Sequence, residues 1–408
     1  MFTKSFDTPN PIPQKAIDNA VALMKHGMLY RYGHVDDVPE SDNDLPSDAS
    51  EVSKLEQVFC DYTGHQYAVA VNSCGSAMFI ALKAMGIKQG DNVLTNAFTF
   101  TAVPSSIVHA GGVPVYVECT RQYVVDLQSL SAQIEANPDI EYFILSHMRG
   151  HVAELDKIKT LCDKNNIRLI EDCAHGLGKR WNTDNHGNKE GVVGHHCEIA
   201  CYSSQSHKML NSGEGGFIAT NDDQLAAYCI LAAGSYEQLY KKHLARPADD
   251  QLFEAIKFQV PNFSLRMNNL IAAVLRPQVA LIDERIASYK DKYERIIEIL
   301  SVSAKLDIPA PVEGTENVGD SLQFTLLGFD QAKKERFIAK AAARGVVIQI
   351  FGTLENARDF RNWKYSFEEV PAMHNTAEII SYTCDLRLPL TFTLEDIEQI
   401  GAIILDSL

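Results

Sequence analysis

Residues 201–220 read CYSSQSHKMLNSGEGGFIAT and place a single lysine, Lys208, among small and polar side chains. A glycine-rich turn follows at 213–216, and the apolar run at 217–219 has the pattern of a strand. A lysine in a turn between two short strands can point into a site, where loss of water would lower its pKa and free its amine as a nucleophile. The stretch alone favours a solvated loop lysine, since most lysines are exposed, and the rest of the chain reverses that preference.

The overall composition is that of a globular protein, with 408 residues of which 46% are hydrophobic and 22% charged. No apolar run approaches the ~20 residues of a membrane span, and the N-terminus lacks the apolar core of a signal peptide. The formal net charge of −16 disfavours a nucleic-acid surface or an anionic membrane as a partner. We therefore expect a cytoplasmic protein that acts on small molecules.

The nine cysteines are scattered, which predicts reduced core residues rather than a disulfide framework. His195, His196, Cys197 and Cys201 lie close together along the chain, but their spacing matches no zinc pattern. No metal site is therefore predicted.

From residue 51 onward, short apolar runs alternate with amphipathic patterns. The runs predict strands at 67–71, 92–95, 113–118, 142–146 and 168–171, and the amphipathic patterns predict helices at 78–85, 99–109, 127–135 and 155–165. Such alternation predicts an α/β protein with a mostly parallel sheet covered on both faces. Ligands of such sheets bind beyond the carboxyl ends of the strands.

The chain is predicted to divide into an N-terminal segment, 1–50, a large domain, 51–285, and a smaller C-terminal α/β domain, 286–408. The first segment has a helix pattern at 14–25 and an acidic loop at 36–48, long enough to be functional or mobile. Residues 222–233 and 268–292 are predicted helices, the second across the domain border, with a loop and short helices at 234–260. The C-terminal part predicts strands at 322–327 and 346–351, a helix at 332–344, and a last helix at 394–408 capped by Thr393.

Two further features stand at predicted strand ends. The turn NSCGSA at 72–77 opens a helix, and the amides of Gly75 and Ser76 would bind an anion at the positive end of the helix dipole. Asp172 ends the strand at 168–171, and His175 follows near the same edge. A buried carboxylate there needs a partner, although aspartate at this position would equally suit a helix N-cap. We expect one pocket to collect the turn, Asp172 and Lys208.

Taken together, these residues resemble the DegT/DnrJ/EryC1/StrS family of sugar aminotransferases, fold-type-I enzymes that use pyridoxal phosphate (PLP). The resemblance spans roughly residues 14–400 and is carried by AVAVNSCGSAMFIALKAMGIKQGDNVL, FTFTAVPSSIVHAGGVPVYVE, LIEDCAHGLG and SSQSHKMLNSGEGG. It implies a large domain with a mostly parallel seven-stranded sheet, a smaller α/β domain, and a homodimer with shared active sites.

The resemblance also implies a role for each candidate residue. Lys208 would bind the PLP aldehyde covalently and then move the substrate proton, and Asp172 would keep the pyridine nitrogen protonated. His175 would hydrogen-bond the phenolic oxygen of the ring, and Phe100 would stack on its face. The phosphate would be held by Gly75, Ser76 and Ser203.

The sequence departs from the family pattern in two places. The phosphate turn has Ser73-Cys74-Gly75 where the family usually has Ser-Gly-Thr, so a hydroxyl is moved or missing. Family members often place an asparagine at the position of Ser264, where it reaches the neighbouring subunit's phosphate. Here Asn262 lies two residues earlier and is the candidate for that contact.

The activity implied by the resemblance is transfer of an amino group from L-glutamate to a keto or aldehyde sugar. One alternative is a sugar dehydratase of the same fold, which has histidine in place of the lysine; His207 raises this possibility. Spacing from Ser203 and Glu214 favours Lys208 as the family lysine. A second alternative is a catalytically silent regulator, against which the intact set of Lys208, Asp172 and His175 speaks.

The predicted acceptor is a nucleotide-linked ketosugar or an oxidised 3-deoxy-octulosonate of lipopolysaccharide. The second follows because NSCGSAM and HMRGH resemble the branch that makes 8-amino-3,8-dideoxy-octulosonate (Kdo8N). Candidate substrate-binding residues are Tyr30, Arg31 and Arg149, with Arg266 and Arg387 as further groups able to bind a carboxylate or phosphate bidentately. Each arginine also fits a structural salt bridge.

Overall fold

The computed structural model describes residues 1–34, 45–182, 190–315 and 318–408. The predicted loop at 36–48 falls mostly outside these residues. The strands, in chain order, are β1 (Tyr67–Val71), β2 (Asn92–Asn96), β3 (Val113–Val117), β4 (Tyr142–Ser146), β5 (Arg168–Asp172), β6 (Arg180–Asn182), β7 (Glu190–Val192), β8 (Ile199–Ser203), β9 (Gly216–Thr220), β10 (Leu306–Asp307), β11 (Ser321–Leu326), β12 (Gln349–Ile350) and β13 (Thr383–Arg387).

The helices are α1 (Gln14–His26), α2 (Glu51–Thr63), α3 (Cys74–Met85), α4 (Ala102–Ala110), α5 (Leu127–Ala136), α6 (Leu155–Lys164), α7 (Asp223–Ala233), α8 (Asp250–Ile256), α9 (Asn269–Val279), α10 (Ile282–Leu300), α11 (Gln331–Ala343), α12 (His374–Tyr382) and α13 (Leu394–Ser407). Local sequence sets several of their ends. The Ser50 side chain accepts the Ser53 N–H at the start of α2, and Gly64 ends that helix with a φ of 81°. A positive φ of this kind favours glycine.

A seven-stranded sheet with the order β1-β9-β8-β5-β4-β2-β3 forms the centre of the large domain. Strands β3, β2, β4, β5 and β8 run parallel, and β9 is antiparallel to both β8 and β1. The predicted α/β architecture with a mostly parallel sheet is therefore confirmed. Because β8 and β9 are antiparallel neighbours, the connection between them, which carries Lys208, both begins and ends at the edge of the sheet where β8 ends.

Both faces of this sheet are covered. In β4, Phe143 and Leu145 pack into one hydrophobic core, whereas Tyr142 and Ile144 pack into the other. Strand geometry points successive side chains to opposite faces, so a strand buried on both sides is apolar throughout. This explains why the interior strands appear in the sequence as continuous apolar runs.

A second, antiparallel sheet has the order β10-β11-β13-β12 and lies in the C-terminal part. Its core includes Phe2 and Phe6 from the N-terminus, which pack against Phe392 with ring centroids 5.2 Å apart. The start of the predicted N-terminal segment thus joins the small domain's core. The last helix, α13, begins with the predicted cap at Thr393, completed by a reciprocal contact from Asp396.

Two predicted elements differ from the structure. The single helix predicted at 268–292 is two helices, α9 and α10, separated at Ala280 and Leu281. Pro277 lies in the last turn of α9, where it lacks an N–H donor and favours the break. The strand predicted at 346–351 shortens to β12, because only residues 349 and 350 pair with β13.

The nine cysteines are all free, and all but Cys74 and Cys197 are buried. Within the described ranges, no helix combines the length and the apolar character needed to cross a bilayer.

Candidate active site

The predicted site residues meet at the carboxyl edge of the large sheet. Asp172 ends β5 and Ser203 ends β8, and Ser73 follows β1 as the N-cap of α3. Lys208 lies in the connection from β8 to β9, with its Nζ 2.7 Å from Nε2 of His175. The charge of Asp172 raises the pKa of Lys208, so the two groups lie near enough to interact.

Lys208 is partly buried rather than fully solvated, and its chemistry changes accordingly. Burial lowers the pKa of its amine to about 8, and the nearby charge of Arg149 acts in the same direction. Asp172 and Asp320 oppose that shift without cancelling it. A pKa near the operating pH makes a sizeable fraction of the amine neutral, as a nucleophile toward a carbonyl requires.

Asp172 is held on both carboxylate oxygens. Its Oδ2 accepts the Ser146 hydroxyl at 2.8 Å, while Oδ1 accepts the Ala174 N–H at 3.1 Å and lies 3.8 Å from Cys74 Sγ. No helix begins after Asp172 in the described chain, since β6 is the next regular element. The helix-cap alternative for Asp172 is therefore wrong, and the carboxylate stands fixed at the end of a buried strand.

Asp320 is a site residue that sequence reasoning missed. Its Oδ2 lies 3.3 Å from Nδ1 of His175, opposite the nitrogen that faces Lys208. Burial and the Lys208 charge lower the pKa of His175 to about 3, so its ring is neutral at ordinary pH. Burial alone would raise the pKa of Asp320, but His175, Arg149 and Lys179 hold it below its usual value.

This arrangement selects one tautomer of His175. A protonated Lys208 donates to Nε2, so the ring proton sits on Nδ1 and points to Asp320. Asp320 comes from the small domain, directly before β11. An acidic residue after a glycine and before a predicted strand was the only sequence signal for it, and many loop residues share that signal.

The turn after β1 forms an anion cradle. The Ser73 hydroxyl caps α3 by accepting the Ser76 N–H at 3.0 Å, so the Ser76 amide is engaged. Of the two predicted amides, that of Gly75 is the one with no hydrogen-bond acceptor within the described residues. A Cβ on Gly216 would lie 2.6 Å from Cys74 N, so glycine permits the close approach of β9 to this turn. A cavity of about 360 Å³ opens beside the turn, lined by Ser73, Gly75, Ser76, Ser106 and His109 among others.

Phe100 and Ser203 complete the predicted coenzyme contacts. Phe100 precedes α4 and is 43% exposed, with the Arg358 guanidinium 5.4 Å from its ring centroid. Ser203 is buried, and its hydroxyl accepts the Gln205 N–H at 3.3 Å. Phe100 thus has exposed ring surface, whereas the Ser203 hydroxyl already accepts one hydrogen bond in the turn that leads to Lys208.

The residues present fit PLP. These residues supply a partly buried amine of lowered pKa, a fixed carboxylate, a helix N-terminus with a free amide and an aromatic face. Lys208 would bind the aldehyde, Asp172 the ring nitrogen, His175 the phenolic oxygen and Gly75 the phosphate. When bound there, PLP supplies an electron sink for the substrate carbon.

The predicted substrate residues separate into two groups. Arg149 lies at the site in the short turn Met148–Gly150, where its guanidinium bonds to Asp385. Arg31 is 3% exposed and is paired with Glu56 at 2.7 Å and with His243 at 2.7 Å. The assignment of Arg31 to substrate is therefore wrong, because its guanidinium is committed to a buried ion pair.

The other substrate and interface candidates lie on the surface or in local bonds. Tyr30 is exposed and its hydroxyl lies 3.0 Å from that of Tyr236. Asn262 is exposed and accepts the Ser264 N–H at 2.9 Å, which supports the positive φ of 59° at Ser264. Arg266 donates to the Gly234 carbonyl at 2.8 Å, and Arg387 lies 3.1 Å from Asp7.

His207 does not replace Lys208. Lys208, and not His207, contacts His175. The buried Nδ1 of His207 has no hydrogen-bond partner in the described part of the chain. Burial and the neighbouring Arg387 charge lower its pKa. Lys208, rather than His207, is therefore the residue whose amine contacts His175 at the sheet edge.

Two of the four residues considered for metal binding, His195 and Cys197, make other contacts. His195 stacks on His65 with ring centroids 3.9 Å apart, and Cys197 Sγ lies 3.3 Å from the Gly194 carbonyl. The group whose ligand atoms do converge in the described residues is His147, Glu171 and Cys173. Glu171 there already accepts N–H groups from Gly194, His196 and the His147 ring. Such a satisfied carboxylate anchors β5 behind Asp172.

Comparison with known proteins agrees with this geometry. The sequence profile of the DegT/DnrJ/EryC1/StrS aminotransferase family matches residues 34–405. The chain belongs to that family. PLP is the coenzyme of these aminotransferases, and the fold is that of the fold-type-I PLP-dependent enzymes.

Two curated relatives illustrate the range of the family. GDP-perosamine synthase of Caulobacter vibrioides is 31% identical over 238 residues, which are 58% of this chain and 58% of that protein. UDP-2-acetamido-2-deoxy-3-oxo-D-glucuronate aminotransferase of Pseudomonas aeruginosa is 31% identical over 239 residues, 58% of this chain and 60% of that protein. The chain thus matches less than two thirds of the length of these relatives.

Two solved structures share the fold over the whole chain. The 3-amino-5-hydroxybenzoic acid synthase has a TM-score of 0.79 at 21% identity, covering 100% of this chain and 98% of its own. A Streptococcus pneumoniae protein in its PLP-form has a TM-score of 0.77 at 16% identity and covers 100% of both chains.

Proposed function

We propose that this protein moves an amino group from L-glutamate to a keto or aldehyde carbon of a sugar. The observation that carries the proposal is that a partly buried amine, Lys208, lies within electrostatic reach of a fixed carboxylate, Asp172, in a member of an aminotransferase family. The relatives named for perosamine and oxoglucuronate chemistry act on sugars, which supports the substrate class.

Each residue has a task in this proposal. Lys208 holds the coenzyme and then carries a proton between the coenzyme and the substrate carbon, a role suited to an amine whose pKa is about 8. Asp172 keeps the ring nitrogen protonated. His175 hydrogen-bonds the phenolic oxygen of the coenzyme. Asp320 holds the neutral ring of His175 in a single tautomer.

For the acceptor we propose a nucleotide-linked ketosugar or an oxidised 3-deoxy-octulosonate, in the biosynthesis of lipopolysaccharide or another cell-surface sugar. The sequence motifs NSCGSAM and HMRGH favour the octulosonate, the substrate of Kdo8N synthesis. The buried Arg149 supports an acidic acceptor, since guanidinium groups bind carboxylates with strong, directional hydrogen bonds. We place the reaction in the cytoplasm.

We further propose a homodimer in which each subunit completes the other's site. The exposed Asn262 and the open cradle beside α3 are the surfaces that support it. Light scattering of the purified protein should give twice the chain mass. An active monomer would contradict the shared site.

The experiment that tests the function has two stages. The visible absorbance of the coenzyme bound to Lys208 is followed while L-glutamate is added, and it should bleach as the amino group transfers. The amino form is then screened against ketosugars, with recovery of the original absorbance as the readout. If the protein binds PLP but its absorbance does not bleach with any amino donor, the proposal is wrong and the catalytically silent regulator is favoured.

The same screen separates transamination from dehydration. A dehydratase would release water from its sugar without consuming glutamate in proportion. Mass spectrometry of the product distinguishes the two, because only transamination adds nitrogen to the sugar.

A further inference from the structure

The turn that carries Arg149 has an unusual backbone. Arg149 and Gly150 both have positive φ angles, of 54° and 76°. Glycine adopts this conformation readily, whereas an arginine is strained there and needs support from its surroundings. Two hydrogen bonds supply that support. The His147 N–H donates to the Asp172 carbonyl at 3.1 Å, and the Lys179 amine donates to the Gly150 carbonyl. The main chain of the turn is therefore fixed beside Asp172.

The side chains of this turn meet a polar face of the small sheet. Gln323 in β11 and Asp385 in β13 are paired directly across the two strands. The residues on either side of each one pack into the small-domain core, and successive side chains of a strand point to opposite faces. Gln323 and Asp385 therefore project together from the other face, where both are 2% exposed.

Hydrogen bonds connect this face to the turn in one continuous series. The Gln323 amide nitrogen donates to Oδ1 of Asp385 at 2.8 Å, and the amide oxygen lies 2.7 Å from Nε2 of His151. The other carboxylate oxygen of Asp385 accepts from the Arg149 guanidinium. We call these four buried residues the relay; they are His151, Gln323, Asp385 and Arg149. The relay crosses from the large domain to the small domain and back.

The direction of each bond in the relay is determined. A carboxylate paired with a guanidinium only accepts hydrogen bonds, so the amide nitrogen of Gln323 faces Asp385 and the amide oxygen faces His151. His151 must then donate from Nε2. Burial lowers the pKa of His151 to about 4, although the Gln323 bond opposes the shift, so the ring is neutral and carries the single N–H that the relay needs. Because every bond has one direction, the Asp385 carboxylate is held in one position.

Asp385 in turn fixes the position of Arg149, whose charge reaches Lys208. Burial lowers the pKa of the Lys208 amine to about 8, and the Arg149 charge adds to the shift. An electrostatic effect falls with distance, so the size of this contribution depends on where the guanidinium is held. Other titratable groups surround the amine outside the relay: Asp172, Asp320 and Cys74, which raise its pKa, and the neutral ring of His175 at 2.7 Å.

We propose that His151 and Gln323 are positioning residues for the chemistry of Lys208: they hold Asp385, which places the Arg149 guanidinium where its charge acts on the amine. The proposal rests on the proposed aminotransferase function, in which Lys208 binds the PLP aldehyde. His151 and Gln323 are both neutral at ordinary pH, so neither acts on Lys208 through a charge of its own. Their effect passes through the position of Arg149.

The first test measures how PLP loading depends on pH in the full-length, coenzyme-free protein. Stopped-flow absorbance from pH 6 to 10 gives the loading midpoint, the pH at which the rate is half of its plateau value. His151→Phe keeps a ring beside Tyr123, whose centroid is 5.1 Å away, but removes the N–H donor. Gln323→Met keeps the length of the side chain and removes the amide.

Both variants should raise the loading midpoint by about 0.5 to 1 pH unit. A released Arg149 moves away from Lys208 because the two cations repel each other, and the amine then behaves more like an ordinary lysine. His151→Gln retains a neutral N–H donor and should restore most of the wild-type midpoint. In the holoenzyme, where the Lys208 nitrogen carries the coenzyme, the pH titration of the coenzyme absorbance should shift in the same direction.

A double-mutant cycle tests whether the effect passes through Arg149. Arg149→Met alone should raise the loading midpoint, since it removes the cation. Adding Gln323→Met to Arg149→Met should cause no further shift, because the group that Gln323 positions is gone. An equal shift by Gln323→Met with and without Arg149 would overturn the relay.

A matched control breaks another arginine–aspartate pair of the small domain. Arg361 is 39% exposed in its side chain and pairs with Asp359 at 2.6 Å, outside the relay. Arg361→Met should keep the wild-type midpoint. If His151→Phe and Gln323→Met have the same midpoint as Arg361→Met, the proposal is wrong.

Loss of structure is separated from loss of positioning. Denaturant unfolding identifies a destabilised variant, and partial unfolding lowers the amount of PLP bound without displacing the midpoint of the folded fraction. Where His151→Phe or Gln323→Met does not fold, Gln323→Asn takes its place. Its amide is too short to reach both His151 and Asp385, so it should show the same upward shift, and a wild-type midpoint there would contradict the proposal.

Failure of the relay can be distinguished from failure of the function. If the unmutated protein loads PLP but transfers no amino group, the proposed function is wrong and the midpoints still decide the relay. If the unmutated protein transfers amino groups and neither variant shifts the midpoint, only the relay is wrong. An unmutated protein that does not load PLP would overturn both.

Discussion

Arg31 is buried and Arg358 is partly exposed with a buried Nε, and the charged groups around these two arginines also differ. Arg31 lies with Glu56 and His243 in a cluster where each charge has a partner within 3.1 Å. Arg358 lies over two aromatic rings with no acid bonded to it in the described chain. The Arg31 cluster holds α2 to the chain before it, whereas the guanidinium of Arg358 has no ion pair within the described residues.

The electrostatics of the two groups follow from this difference. Burial alone would lower the pKa of Arg31, but Glu56 raises it overall. Burial lowers the pKa of Arg358 to about 10, and the neighbouring Arg149 adds to the effect. The ion pair with Glu56 therefore accounts for the opposite directions of the two pKa shifts.

The largest expected effect comes from removing the amine of Lys208. Lys208→Ala should lose about 10⁴-fold or more of its amino transfer, because both the covalent attachment and the proton carrier disappear. It should still bind PLP noncovalently through the other contacts, as measured by dialysis and absorbance.

A suitable control is Lys334→Ala, which removes a buried lysine of the small domain that bonds to the Ser381 carbonyl at 2.7 Å. This variant should keep its activity. Turnover of Lys208→Ala at the wild-type rate would mean that another residue carries the chemistry.

Adjacent carboxylates on β5 give the second prediction. Asp172→Asn should cost roughly 10²- to 10⁴-fold in kcat with little loss of stability, because it removes the negative charge but keeps the shape. Glu171→Gln, one residue earlier, should instead lower the free energy of unfolding and leave kcat close to normal. Glu171 accepts backbone N–H groups from Gly194 and His196 and does not line the cleft.

Both variants are measured by steady-state kinetics and by denaturant unfolding. A large stability loss without loss of kcat in Asp172→Asn would reverse the assignment of the two acids.

Much of the large domain follows from the sequence. The strand predicted at 67–71 coincides with β1, and that at 142–146 coincides with β4. These strands are buried on both faces, so their apolar runs are unambiguous. The sequence also predicts that Asp172 and Lys208 lie at the same edge of the sheet, because the carboxyl ends of parallel strands meet there.

The remaining site residues depend on contacts that a linear pattern does not contain. Asp320 and Asp385 come from the small domain, more than a hundred residues from Lys208, and neither belongs to a motif. Arg31 was assigned to substrate because it adjoins aromatic residues in the sequence. Its true partner, Glu56, lies on the next helix, and a helix pattern alone does not show which acid faces which base.

The Arg31 cluster predicts a stability effect rather than a kinetic one. Arg31→Met should lower the free energy of unfolding by about 3–5 kcal/mol, because it leaves Glu56 buried without its partner. The double variant Arg31→Met with Glu56→Gln should recover part of that loss. Denaturant unfolding measures both, and KM for glutamate should stay unchanged in any fraction that remains folded. A normal unfolding curve with a raised KM would instead place Arg31 at the substrate.

The smallest expected effect is a shift in pH dependence at Lys208. Only the neutral amine attacks the PLP aldehyde, so the rate at which PLP loads onto the coenzyme-free protein should rise with pH and level off above about 8. An ordinary lysine would keep gaining rate toward its unperturbed pKa of 10.5. Removing the positive neighbour in Arg149→Met should raise the pKa of Lys208 and move the plateau to higher pH.

Asp172→Asn should move the plateau to lower pH, because Asp172 stabilises the protonated amine. Stopped-flow absorbance across pH 6 to 10 measures the plateau, with the exposed-site variant Arg361→Met as the control that should not shift it. If the Arg149 and Asp172 variants shift the plateau in opposite directions, both charged groups act on the amine of Lys208. If neither variant shifts the plateau, Arg149 and Asp172 do not act on the amine of Lys208.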